Sequence, residues 1–138
     1  MHVAISNTLN TPIEALEIEF PLRAIEYAVR RGSGGAGRHP GGDGVVRELE
    51  ALTRMRFSLL TERRRHSPPG ARGGGAGAAG RNLLTPSGAA PVALASKAEG
   101  VLSPGDRLRI ETPGGGGHGA PPAAARQSVK GAGRAENE

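Results

Sequence analysis

The sequence predicts an α+β fold, mainly β: a short N-terminal helix, then about five strands joined by glycine-rich loops, the whole a fragment of a larger domain. Three observations carry this expectation. Apolar residues recur with period two in most stretches between the glycine runs, the spacing of a half-buried strand. One stretch alone, near the N-terminus, carries helix start and stop signals. Glycine (23) and proline (11) are frequent among the 138 residues, while Trp (0), Tyr (1) and Phe (2) are scarce. A core built without aromatic bulk is small, and a small core is marginal against chain entropy.

The elements follow in chain order. "TPIEALEIEF" begins with Thr11, a helix-capping residue type, and Pro12 suits the first helical position. Glu14, three residues after Thr11, completes a capping box. Pro21 stops the helix, because the residue before proline avoids the α region. "LRAIEYAV" is expected as a strand with Ile25, Tyr27 and Val29 on its greasy face, although its Ala and Glu content leaves a helix open. "GVVRELEAL" (44–52) and "RMRFSLLTE" (54–62) are two further strands, placed to pair as a hairpin around residues 52–54. In the second, Met55, Phe57 and Leu59 alternate with Arg54, Arg56 and Ser58. Residues 63–82 hold turn-formers and little apolar bulk, and read as a long loop of functional or disordered type. "PVALAS" and "DRLRIET" complete the strands, with "SPGD" (103–106) as a turn between them. Residues 120–138 are expected as a disordered tail, leaving residues 1–119 as the ordered part.

Charge and composition exclude several functions. The formal net charge is +5, which permits contact with nucleic acid or anionic ligands without requiring either. With no cysteine there is no disulfide, thiolate metal site or cysteine nucleophile. The N-terminus shows no secretory pattern, and no apolar run approaches the roughly 20 residues that span a bilayer. No membrane contact and a cytoplasmic location are the expectation.

The glycine runs invite three chemical tests. "GSGGAG" matches G-x-G-x-x-G at Gly32, Gly34 and Gly37, but a dinucleotide site needs a helix to start there. Pro40, Gly41, Gly42 and Gly44 forbid one. "RGSGGAGR" and "ARGGGAGAAGR" are similar to arginine-glycine segments that contact RNA, yet neither has an aromatic platform for base stacking. An Arg/Gly-rich nucleic-acid binder therefore stays only as an alternative. "RGSGG" is not a G-x-S-x-G nucleophile elbow, since Arg31 stands where its first glycine belongs. Ser33 hydrogen-bonding its own turn is the simpler role. His2, His39, His66 and His118 are scattered; His39 and Asp43 share a loop and could reach one ion. "TERRR" closes a strand with Arg63, Arg64 and Arg65, residues suited to bidentate recognition of carboxylate or phosphate.

Five blocks then stand in a characteristic order: "NTLNTPIEALEIEFP", "RRGSGGAGRHPGGDGVVRELE", "LLTERRR", "GRNLL" and "LSPGDRLRIETPGGGGHG". In this they resemble the C-terminal portion of the hydantoinase B/5-oxoprolinase family, over roughly residues 3–120. The resemblance implies a B-type part of an ATP-dependent hydrolase of cyclic amides, a 5-oxoprolinase or N-substituted hydantoinase type, inactive alone. It implies a hydantoinase A-type partner that uses the ATP, and an N-terminal part of the B-type subunit as a second partner. No cofactor is expected on this chain itself. A noncatalytic structural segment of that enzyme is the alternative.

Glycine lets a backbone approach another segment or a ligand closely, or take φ values other residues avoid. Loops 32–44 and 113–119 are therefore candidates to line a site or to pack against the rest of the enzyme. The candidate catalytic residues are Asp43, Arg47 and Arg63, the arginines to stabilise an anionic intermediate and Asp43 to orient a base or an arginine. Arg31, Ser33, Gly34, Gly35 and Gly116 are the candidates for substrate binding.

Overall fold

A computed structural model describes residues 11–122. It contains one helix, α1 (Ile13–Glu19), and seven strands: β1 (Leu22–Arg30), β2 (Gly44–Ala51), β3 (Met55–Leu60), β4 (Arg81–Thr85), β5 (Val92–Ala93), β6 (Lys97–Leu102) and β7 (Arg107–Glu111). Five form an antiparallel sheet in the order β1-β2-β7-β4-β5, and β3 pairs with β6 in a second sheet of two strands. The expected mainly β architecture with a short N-terminal helix is what forms. The tail expected over residues 120–138 lies, from residue 123 onward, outside the described residues.

Several local expectations differ from the fold. Thr11 makes no capping hydrogen bond; Pro12 occupies the N-cap and its carbonyl accepts from the Leu16 amide at 3.0 Å. A proline ring presets φ, so the helix starts without a side-chain cap. The hairpin between residues 44–52 and 54–62 does not form. The chain instead leaves the large sheet after Ala51, and β3 pairs with β6 some 40 residues onward in the chain. Two strands were not expected: β4, in "RNLLT", and β6, in "KAEGVL". Neither alternates apolar and polar residues cleanly, and both are held by pairing with distant strands rather than by local pattern. "PVALAS" contributes only the two-residue β5.

The core lies between the two sheets. Ala51, Leu59, Leu102 and Leu108 are buried there, with Met55, Phe57, Leu84, Leu94, Ala98 and Ile110 packed around them. Leu108 and Ile110 share one face of β7 while Arg107 and Arg109 take the other, as their spacing predicts. The turn into β7 is built as expected: Gly105 has φ +86°, and the Asp106 amide donates to the Ser103 carbonyl at 3.0 Å.

Edge strand β1 departs from its expected burial. Its register shifts between Ala24 and Glu26, leaving Ile25 as an unpaired bulge residue. Tyr27 and Val29 lie opposite Arg47 and Val45, on the sheet face that elsewhere carries the core. None of the core cluster comes from β1, however, and Ile25, Tyr27 and Val29 are all exposed. Period two marks the strand but not its burial, because the small second sheet covers only the middle of the large one.

The other sheet face is a lattice of charge. Glu26 and Glu48 are direct cross-strand partners, an arrangement that repels by itself. Arg109 from β7 binds both, and its Nε donates to Glu111 at 3.1 Å. These three carboxylates hold the Arg109 guanidinium more firmly protonated than usual, Glu26 and Glu48 through hydrogen bonds having the largest effect.

Candidate functional site

Three segments meet at one end of the large sheet: residues 33–43 between β1 and β2, residues 68–80 before β4, and residues 113–119 after β7. They are tied by backbone hydrogen bonds that belong to no β-ladder. The Gly35 amide donates to Gly115 at 2.8 Å, Gly115 to Gly42 at 2.8 Å, Gly75 to Ala36 at 2.6 Å, and Gly117 to Gly75 at 2.9 Å. The Ala78 amide donates to the Ser33 carbonyl at 2.7 Å. The long stretch after β3 is thus an ordered part of a glycine lattice.

Most of these glycines are needed for closeness rather than for unusual φ. A Cβ on Gly35 would stand 2.1 Å from the Gly75 carbonyl oxygen. On Gly34 it would stand 2.0 Å from Gly41 O, and on Gly116 1.9 Å from Pro69 O. None of these three has positive φ, whereas Gly32 at the turn out of β1 has φ +75° with open space around it. Collagen uses glycine for the same reason, since only a missing side chain lets chains approach so near.

Ser33 and Asp43 fasten the mouth of this lattice. The buried Ser33 hydroxyl donates to the Arg30 carbonyl and accepts from the Gly44 amide, both at 2.7 Å. Asp43 is exposed, and its carboxylate accepts from the Gly34 amide at 2.8 Å. That bond, helped by the Gly32 and Ser33 amides, holds its pKa below the usual 3.8. Arg31 is exposed at the start of the loop. The lattice therefore brings together Ser33, Gly34, Gly35, Asp43 and Gly116.

The other candidates lie elsewhere. Arg47 sits mid-strand in β2, its guanidinium 6.0 Å from the centre of the Tyr27 ring, at the small gap between α1 and β1. Arg63 is exposed three residues past the end of β3, with φ 59°, and its carbonyl accepts from the Gly80 amide at 2.9 Å. His39 and His118 form a backbone bridge with ring centres 6.1 Å apart. Among the described residues no three His, Asp or Glu side chains group as metal ligands.

Sequence reasoning missed the network beside Arg63. Asn82 is almost fully buried, and its amide nitrogen donates to Thr61 Oγ1 at 2.8 Å and to the Ala95 carbonyl at 3.1 Å. Its oxygen accepts from Arg64 Nη2 at 2.9 Å and Nε at 3.1 Å. Arg30 also escaped notice. It reaches the carbonyls of Ala79 and Thr112 at 2.8 and 3.1 Å and pairs with Glu111 at 3.3 Å, joining three chain segments. The available signal was an asparagine next to two leucines, "RNLL", since a buried polar group demands partners.

Comparison with known proteins adds three findings. A family model described as hydantoinase B/oxoprolinase matches residues 1–121. A 5-oxoprolinase of Pestalotiopsis fici, PfmaA, is 42% identical over 88% of this chain, and the 5-oxoprolinase of Saccharomyces cerevisiae is 42% identical over 77%. These matches take up 10% and 8% of the two relatives, so the chain spans about a tenth of their length. Among solved structures, the ATP-dependent caprolactamase of Pseudomonas jessenii shares the fold with a TM-score of 0.67 at 23% identity, over 87% of this chain and 22% of that one.

Proposed function

The chain belongs to the hydantoinase B/oxoprolinase family, and we propose that it forms the glycine-laced part of a hydrolase that opens lactam or imide rings. The observation that carries this reading is the 42% identity to a 5-oxoprolinase across 88% of the chain, a span that includes the whole glycine lattice. In this reading ring opening belongs to the assembled enzyme. A hydantoinase A-type partner uses ATP to activate the ring carbonyl, and the B-type part takes the activated ring through hydrolysis.

Within that assembly Ser33, Gly34, Gly35, Asp43 and Gly116 keep the loops in register at the end of the sheet. Arg31, Arg47 and Arg63 offer positive charge to an anionic intermediate. A purely structural role for loop 32–44 is favoured by one observation, that the Ser33 hydroxyl already spends its donor and an acceptor inside the protein.

The test is a full-length 5-oxoprolinase with the region matching residues 1–121 deleted, assayed for ATP-dependent hydrolysis of 5-oxoproline alone and with this chain added. Activity lost on deletion and regained on addition is the expected result. Undiminished hydrolysis by the deleted enzyme would sink the proposal. Alanine at the positions matching Asp43 and Arg47 separates the two roles: unchanged turnover in a folded enzyme leaves these residues with scaffolding alone.

A further inference from the structure

An open cleft of about 520 Å³ lies after β3, lined by Glu62, Arg63, Arg64, Arg65, His66 and Ser96. Three arginines and a histidine line it with a single acidic residue, an unbalanced set for a surface that serves only solubility. Arg63, Arg64 and Arg65 form no ion pair among the described residues. From these groups we infer a binding site for a small oxyanion, a phosphate or carboxylate group.

The cleft is supported from behind. Arg64 is half-buried and fixed by the Asn82 oxygen, while Asn82 is itself held by Thr61 and Ala95. The Arg64 Nη1 donates to the Glu62 carbonyl at 2.7 Å, so its neutral partners position the charge without cancelling it. Burial, with Arg30 nearby, lowers the Arg64 pKa, the direction expected of a cation short of negative charge. Arg63 stands beside it in left-handed backbone, a conformation that costs a non-glycine residue energy and that the Gly80 amide helps to hold. A planar guanidinium held in place loses little freedom on pairing with two oxygens of an anion.

Binding is measurable without turnover, so the site stands or falls apart from the ring-opening reading. The Nε–Hε signals of the arginines are followed by NMR while the whole chain is titrated, at constant ionic strength, with inorganic phosphate and separately with acetate. Saturable shifts with phosphate mark a phosphoryl site, and saturable shifts with acetate a carboxylate site; either supports the proposal. The variant Arg63→Gly with Arg65→Ala is expected to weaken binding about tenfold, one or two charge-assisted bonds being lost. Glycine tolerates the left-handed backbone, so this variant keeps its fold. Arg54→Ala with Arg56→Ala removes the same charge around the start of β3 and leaves affinity unchanged. Absence of saturation with both anions, or equal weakening by both double variants, overturns the site.

Discussion

At the scale of single residues, some side chains that look reactive in sequence fasten loops. Ser33 is the plainest case. Its hydroxyl satisfies the Gly44 amide, which is buried where β2 begins. Ser33→Ala strands that amide, and a buried unpaired donor costs about 2 kcal/mol; a lower denaturant midpoint with an unchanged slope checks this. Asp43 and Asp106 make a related prediction about pH. Asp106 accepts from the Ser103 and Ser87 amides, and these bonds lower its pKa as the Gly34 amide lowers that of Asp43. A carboxylate with a depressed folded pKa stabilises fully above its unfolded value, here 3.8, and loses that contribution as pH falls through the lower folded value. Stability is therefore expected to fall with acid below about pH 4, and Asp43→Asn with Asp106→Asn to flatten that fall. Urea unfolding at a series of pH values measures both. Ser33 was legible in sequence as a turn former, because its neighbours are glycine. Arg64 was legible as a candidate anion-binding residue but its bracing by Asn82 was not, because that contact is set by segments distant in the chain.

At the scale of elements, glycine loops carry the same composition for two different reasons. At Gly88 the reason is conformation: φ is +76° and the space around it is empty. Alanine there costs only the left-handed strain, about 1 kcal/mol. At Gly35 the reason is contact, with a carbonyl oxygen 2.1 Å from where a Cβ would lie. Alanine there must push two backbone segments apart, at a cost on the order of 3 kcal/mol. Thermal unfolding of Gly35→Ala and Gly88→Ala side by side checks the difference, and equal losses would contradict the lattice. Strand β1 teaches the complementary lesson. Period two identified it correctly as a strand, but one bulge and the limited reach of the β3–β6 pair decided which of its residues stay exposed.

At the scale of the whole molecule, the core is small: among the described residues Ala51, Leu59, Leu102 and Leu108 form its buried cluster. Each large member then matters. Leu102→Ala is expected to cost about 3 kcal/mol, a sizeable share of the roughly 5–15 kcal/mol available to an ordinary domain; chemical denaturation of the purified variant measures it. The scarcity of aromatics foretold such a core, and the order of five blocks, three of them glycine-bearing, foretold the family. Local patterning also determined the helix, five of the strand positions and the turn at residues 103–106, since each depends on neighbours within a few residues. Tertiary structure alone decided that β3 leaves β2 to pair with β6, that β4 lies beside β7, and that the glycine runs cross-bond into one lattice. It also decided that Arg64 is braced by a buried asparagine beside Arg63. Those outcomes depend on which distant segments meet, and hydrogen bonds between backbone groups leave no mark in the sequence except the glycines that make room for them.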